Sequence, residues 1–229
     1  MSEYVIQPPP TPSVAVAGIS ARFPIRRIFC VGRNYEAHAR EMGKDPTREP
    51  PFFFMKPADT AVDAPAVIGY PPETRNFHYE IELVVAIGKA GSNIPAEKAL
   101  EHVWGYTVGI DLTRRDLQLA ARDAGRPWSW GKSFDRSAPM APLHPVTEVG
   151  NPEKGRIWLA VNGDVKQDQD ISDLIWSVPE IISIISRSIA LQPGDLIMTG
   201  TPAGVGPIVA GDKVTGGVEG LGEVTITIA

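Results

Sequence analysis

The sequence has little of several features that mark common classes of protein. It carries one cysteine, Cys30, in 229 residues, so an intramolecular disulfide is impossible and a reducing compartment is favoured. No apolar run approaches the roughly 20 residues that span a bilayer. The amino terminus lacks the basic-then-apolar layout of a signal peptide. We therefore expect a cytoplasmic protein, with Cys30 as a small core residue in the apolar run RIFCVG.

Positive charge is also scarce. Lysine and arginine number 22 against 27 aspartates and glutamates, and the net charge is -5. The sequence shows no basic stripe with interleaved aromatic residues. Because such a stripe is the usual electrostatic footprint of nucleic-acid binding, we expect neither nucleic acid nor a membrane as a partner.

The pattern of short apolar segments predicts a mixed α/β fold that is mainly β, with short peripheral helices. The chain has 22 glycines and 22 prolines, and these break it into many short strands and a few short helices. We find no internal repeat and no break in composition. The simplest organisation is an extended, proline-rich arm over residues 1–24 and one domain over residues 25–229. Capping-box spacing predicts helix starts at Thr113–Asp116 and Ser177–Glu180.

Two glutamates interrupt a segment that otherwise has the pattern of a buried strand. In HYEIELVVAIG, Glu80 and Glu82 lie two residues apart and therefore on one face of a strand. Adjacent carboxylates repel unless one is protonated or a cation lies between them. Asp111 ends the next long apolar strand, WGYTVGID, and could complete a site for a hard divalent cation. The alternative is a solvated strand end, and the pattern alone does not decide between the two.

Three further residues could supply acid–base or oxyanion chemistry. His38 and Glu41 stand at i and i+3 in YEAHARE, where the carboxylate could orient the imidazole to deprotonate a water. Lys132, in WSWGKSF, could stabilise a developing oxyanion. Their alternatives are an exposed helix pair and an exposed lysine.

Candidate substrate contacts come in the segments just after predicted strands. Arg115 and Gln118 lie one helical turn apart just after Asp111, and Arg115 could pair with an anionic substrate. Thr201 belongs to the glycine-rich turn TGTPAGVGP, whose amides and hydroxyl could hold a carboxylate. The spacing of this turn differs from that of a phosphate-binding loop or a dinucleotide fingerprint.

Taken together, these motifs resemble the fumarylacetoacetate hydrolase family. The resemblance begins at RRIFCVGRNYEAHAREMG and continues in family order through NFHYEIELVVAIG, GYTVGIDLTRRDLQ, RPWSWGKSFD and LQPGDLIMTGTPAGVGP. The segments EPPFFFMKPADT, TRRDLQ and RPWSWGKSFD are most similar to bacterial members that act on fumarylpyruvate in gentisate degradation.

The resemblance implies a mixed β-sandwich roll, a homodimer and a bound Mg2+ or Mn2+. It implies Glu80, Glu82 and Asp111 as metal ligands, and His38 with Glu41 as a water-activating dyad. Lys132 would stabilise the oxyanion, while Arg115, Gln118 and Thr201 would hold the 2-oxo-acid end of a small substrate. The implied reaction splits an acylpyruvate, foremost 3-fumarylpyruvate, with water.

Two other functions stay open at this stage. A chelated 2-oxo acid can also lose CO2, so the chain could be an oxaloacetate decarboxylase, or it could hydrolyse another acylpyruvate. A protein of a different class, a metal-dependent 2-oxo-acid-binding protein without turnover, would have no need of a water-activating dyad.

Overall fold

A computed structural model describes residues 4–36 and 49–229. The strands, numbered along the chain, are β1 (Ser13–Val16), β2 (Ile19–Pro24), β3 (Arg27–Gly32), β4 (Phe52–Lys56), β5 (Ala61–Asp63), β6 (Ala66–Ile68), β7 (Phe77–Tyr79), β8 (Ile81–Ile87), β9 (Val103–Ile110), β10 (Thr113–Arg114), β11 (Ala138–Met140), β12 (His144–Pro145), β13 (Arg156–Val161), β14 (Asp164–Asp170), β15 (Asp195–Met198), β16 (Gly206–Pro207), β17 (Lys213–Val218) and β18 (Glu223–Ile228). The α-helices are α1 (Arg115–Asp123), α2 (Ser129–Lys132), α3 (Val146–Val149) and α4 (Val178–Ser188), and 3-10 helices cover Ala58–Thr60, Ala96–His102 and Ile171–Asp173.

The largest sheet is mixed and has the strand order β4-β3-β15-β8-β9-β11-β5, with β12 also paired to β9. Strands β3 and β15 run parallel, while β8 is antiparallel to both of its neighbours, β15 and β9. Every residue of β8 is buried. This explains the nearly continuous apolar run in the sequence, since a central strand covered on both faces needs apolar side chains on both.

Alternate residues of β8 enter two different cores, as the two-residue period of a strand requires. Leu83 and Val85 join a core that also contains side chains of the five-stranded sheet β14-β13-β17-β18-β6 and of α4. Val84 and Ala86 join a second core on the opposite face. The prediction of a mainly β sandwich with short helices is confirmed, and Cys30 lies buried in the second core as expected.

The second core is covered by part of the segment that the sequence indicated as an extended arm. Residues 13–24 form the antiparallel hairpin β1–β2. Val14, Val16 and Phe23 of this hairpin are buried against the large sheet. The hairpin therefore forms a layer of the fold, while the boundary proposed near residue 24 stays a prediction.

One of the two predicted capping boxes is confirmed and the other is wrong. At the start of α4, the Ser177 N–H donates to the Glu180 carboxylate at 3.0 Å, within a complete capping box. Helix α1 instead follows Arg114 and has no side-chain cap. Thr113 lies in β10 and donates to the Asp111 carbonyl at 3.0 Å. No helix in the described ranges is both long enough and apolar enough to cross a bilayer.

Candidate active site

The three predicted metal-binding acids lie together at one end of β8 and β9. Glu80 precedes β8, Glu82 is its second residue, and Asp111 follows β9 directly. The Asp111 N–H donates to the Glu80 carbonyl at 2.8 Å, so the antiparallel pairing places these two residues side by side. One carboxylate oxygen from each of the three acids lies within 4.8 Å of the others, and all three residues are buried.

Buried cationic side chains lie beside these acids. The pattern of the two glutamates in the sequence did not predict them. Lys132 Nζ donates to Glu80 Oε2 at 2.7 Å and to Asp111 Oδ2 at 2.6 Å. Arg115 forms a close ion pair with Glu80 Oε1. Lys56 Nζ is 2.9 Å from Asp111 Oδ1, although not in the direction of a hydrogen bond. Three buried cations thus accompany three buried carboxylates.

The surroundings raise the pKa values of Glu82 and Lys132, for different reasons. Burial, together with the nearby Asp111 and Glu80 carboxylates, raises the pKa of Glu82 well above its ordinary value, although the Gly200 N–H donates to Glu82 at 2.7 Å. Burial alone would lower the pKa of Lys132, but Asp111 and Glu80 outweigh it and raise that pKa. Lys132 therefore stays protonated, and a further positive partner would stabilise the charged form of Glu82.

The donor set fits a hard divalent cation. All three candidate ligands are carboxylates, the oxygen ligands that Mg2+ and Mn2+ prefer, and they converge on one small volume. A divalent ion held by Glu80, Glu82 and Asp111 would also add positive charge beside the buried Glu82 carboxylate, whose pKa burial and its acidic neighbours raise.

A cavity opens at this cluster and contains every described residue that the sequence indicated as part of the site. These lining residues are Glu80, Glu82, Asp111, Arg115, Gln118, Lys132 and Thr201. Arg115 donates to the Gln118 side-chain oxygen, so the predicted substrate contacts on α1 are coupled to each other. The Thr201 hydroxyl accepts from Gln167 at 2.8 Å, which fixes the turn after β15.

The two residues of the predicted dyad, His38 and Glu41, lie outside the described residues. Their role stays a prediction. Gly32 and Arg33 also line the cavity, at the end of β3 and just before this segment of the sequence.

The structure adds residues that the sequence reasoning missed. Lys56 is fully buried, and its ammonium also donates to the Leu112 carbonyl at 3.2 Å and to Ser137 Oγ at 3.0 Å. The only signal in the sequence was a lysine at the end of the apolar strand FFFMK, a position where lysine is usually exposed. The cavity wall also includes Phe54, Arg122 and Trp128.

Comparisons with known proteins agree with this arrangement. The family model described as fumarylacetoacetate (FAA) hydrolase C-terminal matches residues 27–229. A fumarylpyruvate hydrolase of Ralstonia sp is 49% identical over 184 residues, covering 80% of this chain and 95% of the relative. A mitochondrial oxaloacetate tautomerase of Homo sapiens is 40% identical over 203 residues, covering 89% of this chain and 91% of the relative. The crystal structure of fumarylpyruvate hydrolase from Pseudomonas aeruginosa in complex with Mn2+ and pyruvate superposes with a TM-score of 0.97 at 53% identity, covering 99% of each chain.

Proposed function

Because the chain belongs to the fumarylacetoacetate hydrolase family, we propose that it is a metal-dependent enzyme that hydrolyses a carbon–carbon bond of an acylpyruvate. The preferred substrate is 3-fumarylpyruvate, and the products are fumarate and pyruvate. The observation that carries the proposal is the convergence of three buried carboxylates, within 4.8 Å, in a cavity that also contains Lys132 and Arg115. The Mn2+ and pyruvate of the Pseudomonas aeruginosa relative support it.

Glu80, Glu82 and Asp111 would hold Mg2+ or Mn2+. When bound, such an ion acts as a Lewis acid that draws electron density from the oxygens of a 2-oxo acid. Arg115, Gln118 and Thr201 would orient the carboxylate and 2-oxo group of the pyruvate end, since all three line the same cavity.

The remaining chemistry belongs to the side chains. His38, oriented by Glu41, takes a proton from water, and the resulting hydroxide attacks the 4-oxo carbon. Lys132 donates to the oxyanion that forms there. Its ammonium already contacts Glu80, Asp111 and Thr113, so it reaches the oxyanion by exchanging one of these acceptors. The bond between C3 and C4 then breaks, C4 leaves in fumarate, and C3 takes a proton to become the methyl group of pyruvate.

The first experiment follows the loss of fumarylpyruvate absorbance by the purified protein. We expect cleavage to fumarate and pyruvate, its loss in EDTA, and its recovery with Mg2+ or Mn2+. Glu82→Gln should lose both activity and Mn2+ binding measured by calorimetry. The control is Asp168→Asn. Asp168 is an exposed acid on β14 that pairs with Arg156 of β13, so its loss should change neither activity nor Mn2+ binding. Turnover that is unaffected by EDTA would contradict the metal role.

Oxaloacetate chemistry is the second candidate, favoured by the tautomerase relative from Homo sapiens. Neither enol–keto conversion nor decarboxylation of oxaloacetate requires an attacking water. His38→Ala should therefore abolish hydrolysis of fumarylpyruvate while sparing decarboxylation of oxaloacetate. Full hydrolysis by His38→Ala would refute the proposed dyad, and calorimetric binding of pyruvate without turnover of any acylpyruvate would favour a binding protein.

The family resemblance also supports a homodimer as the working form, in the cytoplasm and within gentisate degradation. Size-exclusion chromatography with light scattering should give a mass twice that of the 24.7 kDa chain. A monomer of full activity would remove the dimer from the proposal.

A further inference from the structure

Helix α1 presents three polar side chains to the cavity in a row. Arg115, Gln118 and Arg122 stand at i, i+3 and i+7, which places them on one helix face, and all three line the cavity. Exposure increases along the row. Arg115 and Gln118 are buried, whereas the side chain of Arg122 is 38% exposed. The row therefore runs from the buried acids to the cavity mouth.

The length of this row matches a seven-carbon substrate. At 1.5 Å of rise per residue, Arg122 lies about 10 Å beyond Arg115 and about 6 Å beyond Gln118 along the helix axis. The inner end is fixed, because Arg115 pairs with Glu80. In an extended fumarylpyruvate, six bonds separate the two carboxylate carbons, roughly 7–8 Å at ordinary bond lengths. This length falls between the two helix spacings, so we expect a substrate whose oxo-acid end lies at Arg115 and Gln118 to bring its other carboxylate near Arg122.

The local contacts of Arg122 leave it able to accept such a group. Its Nε and Nη2 contact Asp123 Oδ1 at 2.9 and 2.8 Å, and the Asp123 side chain is 66% exposed. Exposed pairs of this kind contribute little free energy, so a substrate carboxylate can replace Asp123. A planar guanidinium also matches a carboxylate with two parallel hydrogen bonds.

Two aromatic rings form part of the cavity wall. Phe54 and Trp128 both line the cavity, and their ring centroids lie 5.8 Å apart. Flat apolar surfaces suit the planar enoyl segment that joins the two carbonyl ends of the substrate. The cavity thus combines a buried charged end, aromatic wall residues and a cationic side chain at its more exposed end.

We propose that Arg122 binds the distal carboxylate of the substrate and makes the enzyme selective for dicarboxylic acylpyruvates. This inference rests on the proposed function and adds to it the residue that sets the substrate class. Arg33 is the rival, since it also lines the cavity. It lies just beyond β3 and so does not belong to the row on α1, on whose spacing the inference rests.

The test compares two substrates that share the pyruvate end. Fumarylpyruvate has the distal carboxylate, whereas acetylpyruvate has a methyl group in place of the carboxyvinyl group beyond the 4-oxo carbon. We expect Arg122→Gln to lower kcat/KM for fumarylpyruvate about 10- to 100-fold, mainly through KM, as is typical when a charge-assisted bidentate contact is lost. Its kcat/KM for acetylpyruvate should stay within about twofold of wild type. Arg126→Gln removes the same charge from an exposed residue that does not line the cavity, and should leave both values unchanged.

Each other outcome overturns the inference in a recognisable way. Equal losses on both substrates would show that Arg122 acts on the fold or on the pyruvate end. A selective loss in Arg33→Gln, with none in Arg122→Gln, would move the distal site to Arg33. A wild-type protein that cleaves neither substrate would overturn the proposed function together with this inference. If both substrates are cleaved and Arg122→Gln leaves the ratio of their kcat/KM values unchanged, only the inference is overturned.

Discussion

Replacing Lys56 by methionine should destabilise the fold strongly. The side chain is fully buried, and its ammonium lies 2.9 Å from Asp111 and donates to Ser137 and the carbonyls of Leu112 and Lys132. Methionine has a similar volume but no donor, so these buried acceptors lose their cation together. Removing one partner of a buried ion pair typically costs about 3–5 kcal/mol of the free energy of unfolding.

A loss of that size is a large share of the roughly 5–15 kcal/mol that stabilises a typical protein. For a chain of this length it corresponds to a fall of roughly 6–20 °C in Tm. Urea unfolding followed by circular dichroism, at one fixed protein concentration and with EDTA present, measures the change without a contribution from bound metal.

The matched control is Lys89→Met. Lys89 pairs with Glu101 at 3.6 Å, and both side chains are 61% exposed, so solvent screens the pair and the urea midpoint should barely move. The reasoning would be refuted if Lys56→Met unfolded within about 1 kcal/mol of wild type at an unchanged m-value, because a buried cation with four oxygen contacts cannot be that dispensable.

Two more predictions follow from the site. Burial lowers the pKa of His78 to about 4 from an ordinary 6.5, so stability from its neutral ring is complete above about pH 6.5 and is lost as the pH falls through about 4. Proton NMR of the ring, assigned with His78→Gln, should show no titration near 6.5, and a midpoint there would contradict the burial argument. A Cβ at Gly131 would lie 2.8 Å from the backbone of Gln118, so Gly131→Ala should separate α1 from α2 and lower kcat/KM at least about tenfold. Turnover equal to wild type would show that the two helices need not approach so closely.

The parts of the site that the sequence predicted are those carried by strand periodicity. Glu80 and Glu82 interrupt an apolar run at a two-residue interval, and Asp111 ends the next such run. Because β8 and β9 are antiparallel neighbours, the entrance of one strand meets the exit of the other, and the three acids come together. Arg115 and Gln118 of α1, one helical turn apart, follow from helical spacing in the same way.

The parts that the sequence did not predict depend on long-range packing. Lys56 lies at a strand end, and only the fold brings Asp111, 55 residues later, to its ammonium. Thr113 and Asp116 have capping-box spacing, but Thr113 is held in β10 by pairing with β7. Asp116 instead accepts from Thr74 at 2.6 Å, so tertiary contacts override the local preference.

Three buried acids lie beside three buried cations, and this bears on whether the protein folds before or after it binds metal. In small zinc domains the metal is the counter-charge, and the chain stays unfolded until it arrives. Here Lys56, Lys132 and Arg115 pair with the acids within the chain itself, so we expect the protein to fold without metal. Metal binding would then follow folding and be reversible, and a shortage of divalent ions would leave folded protein that a later supply of metal could activate.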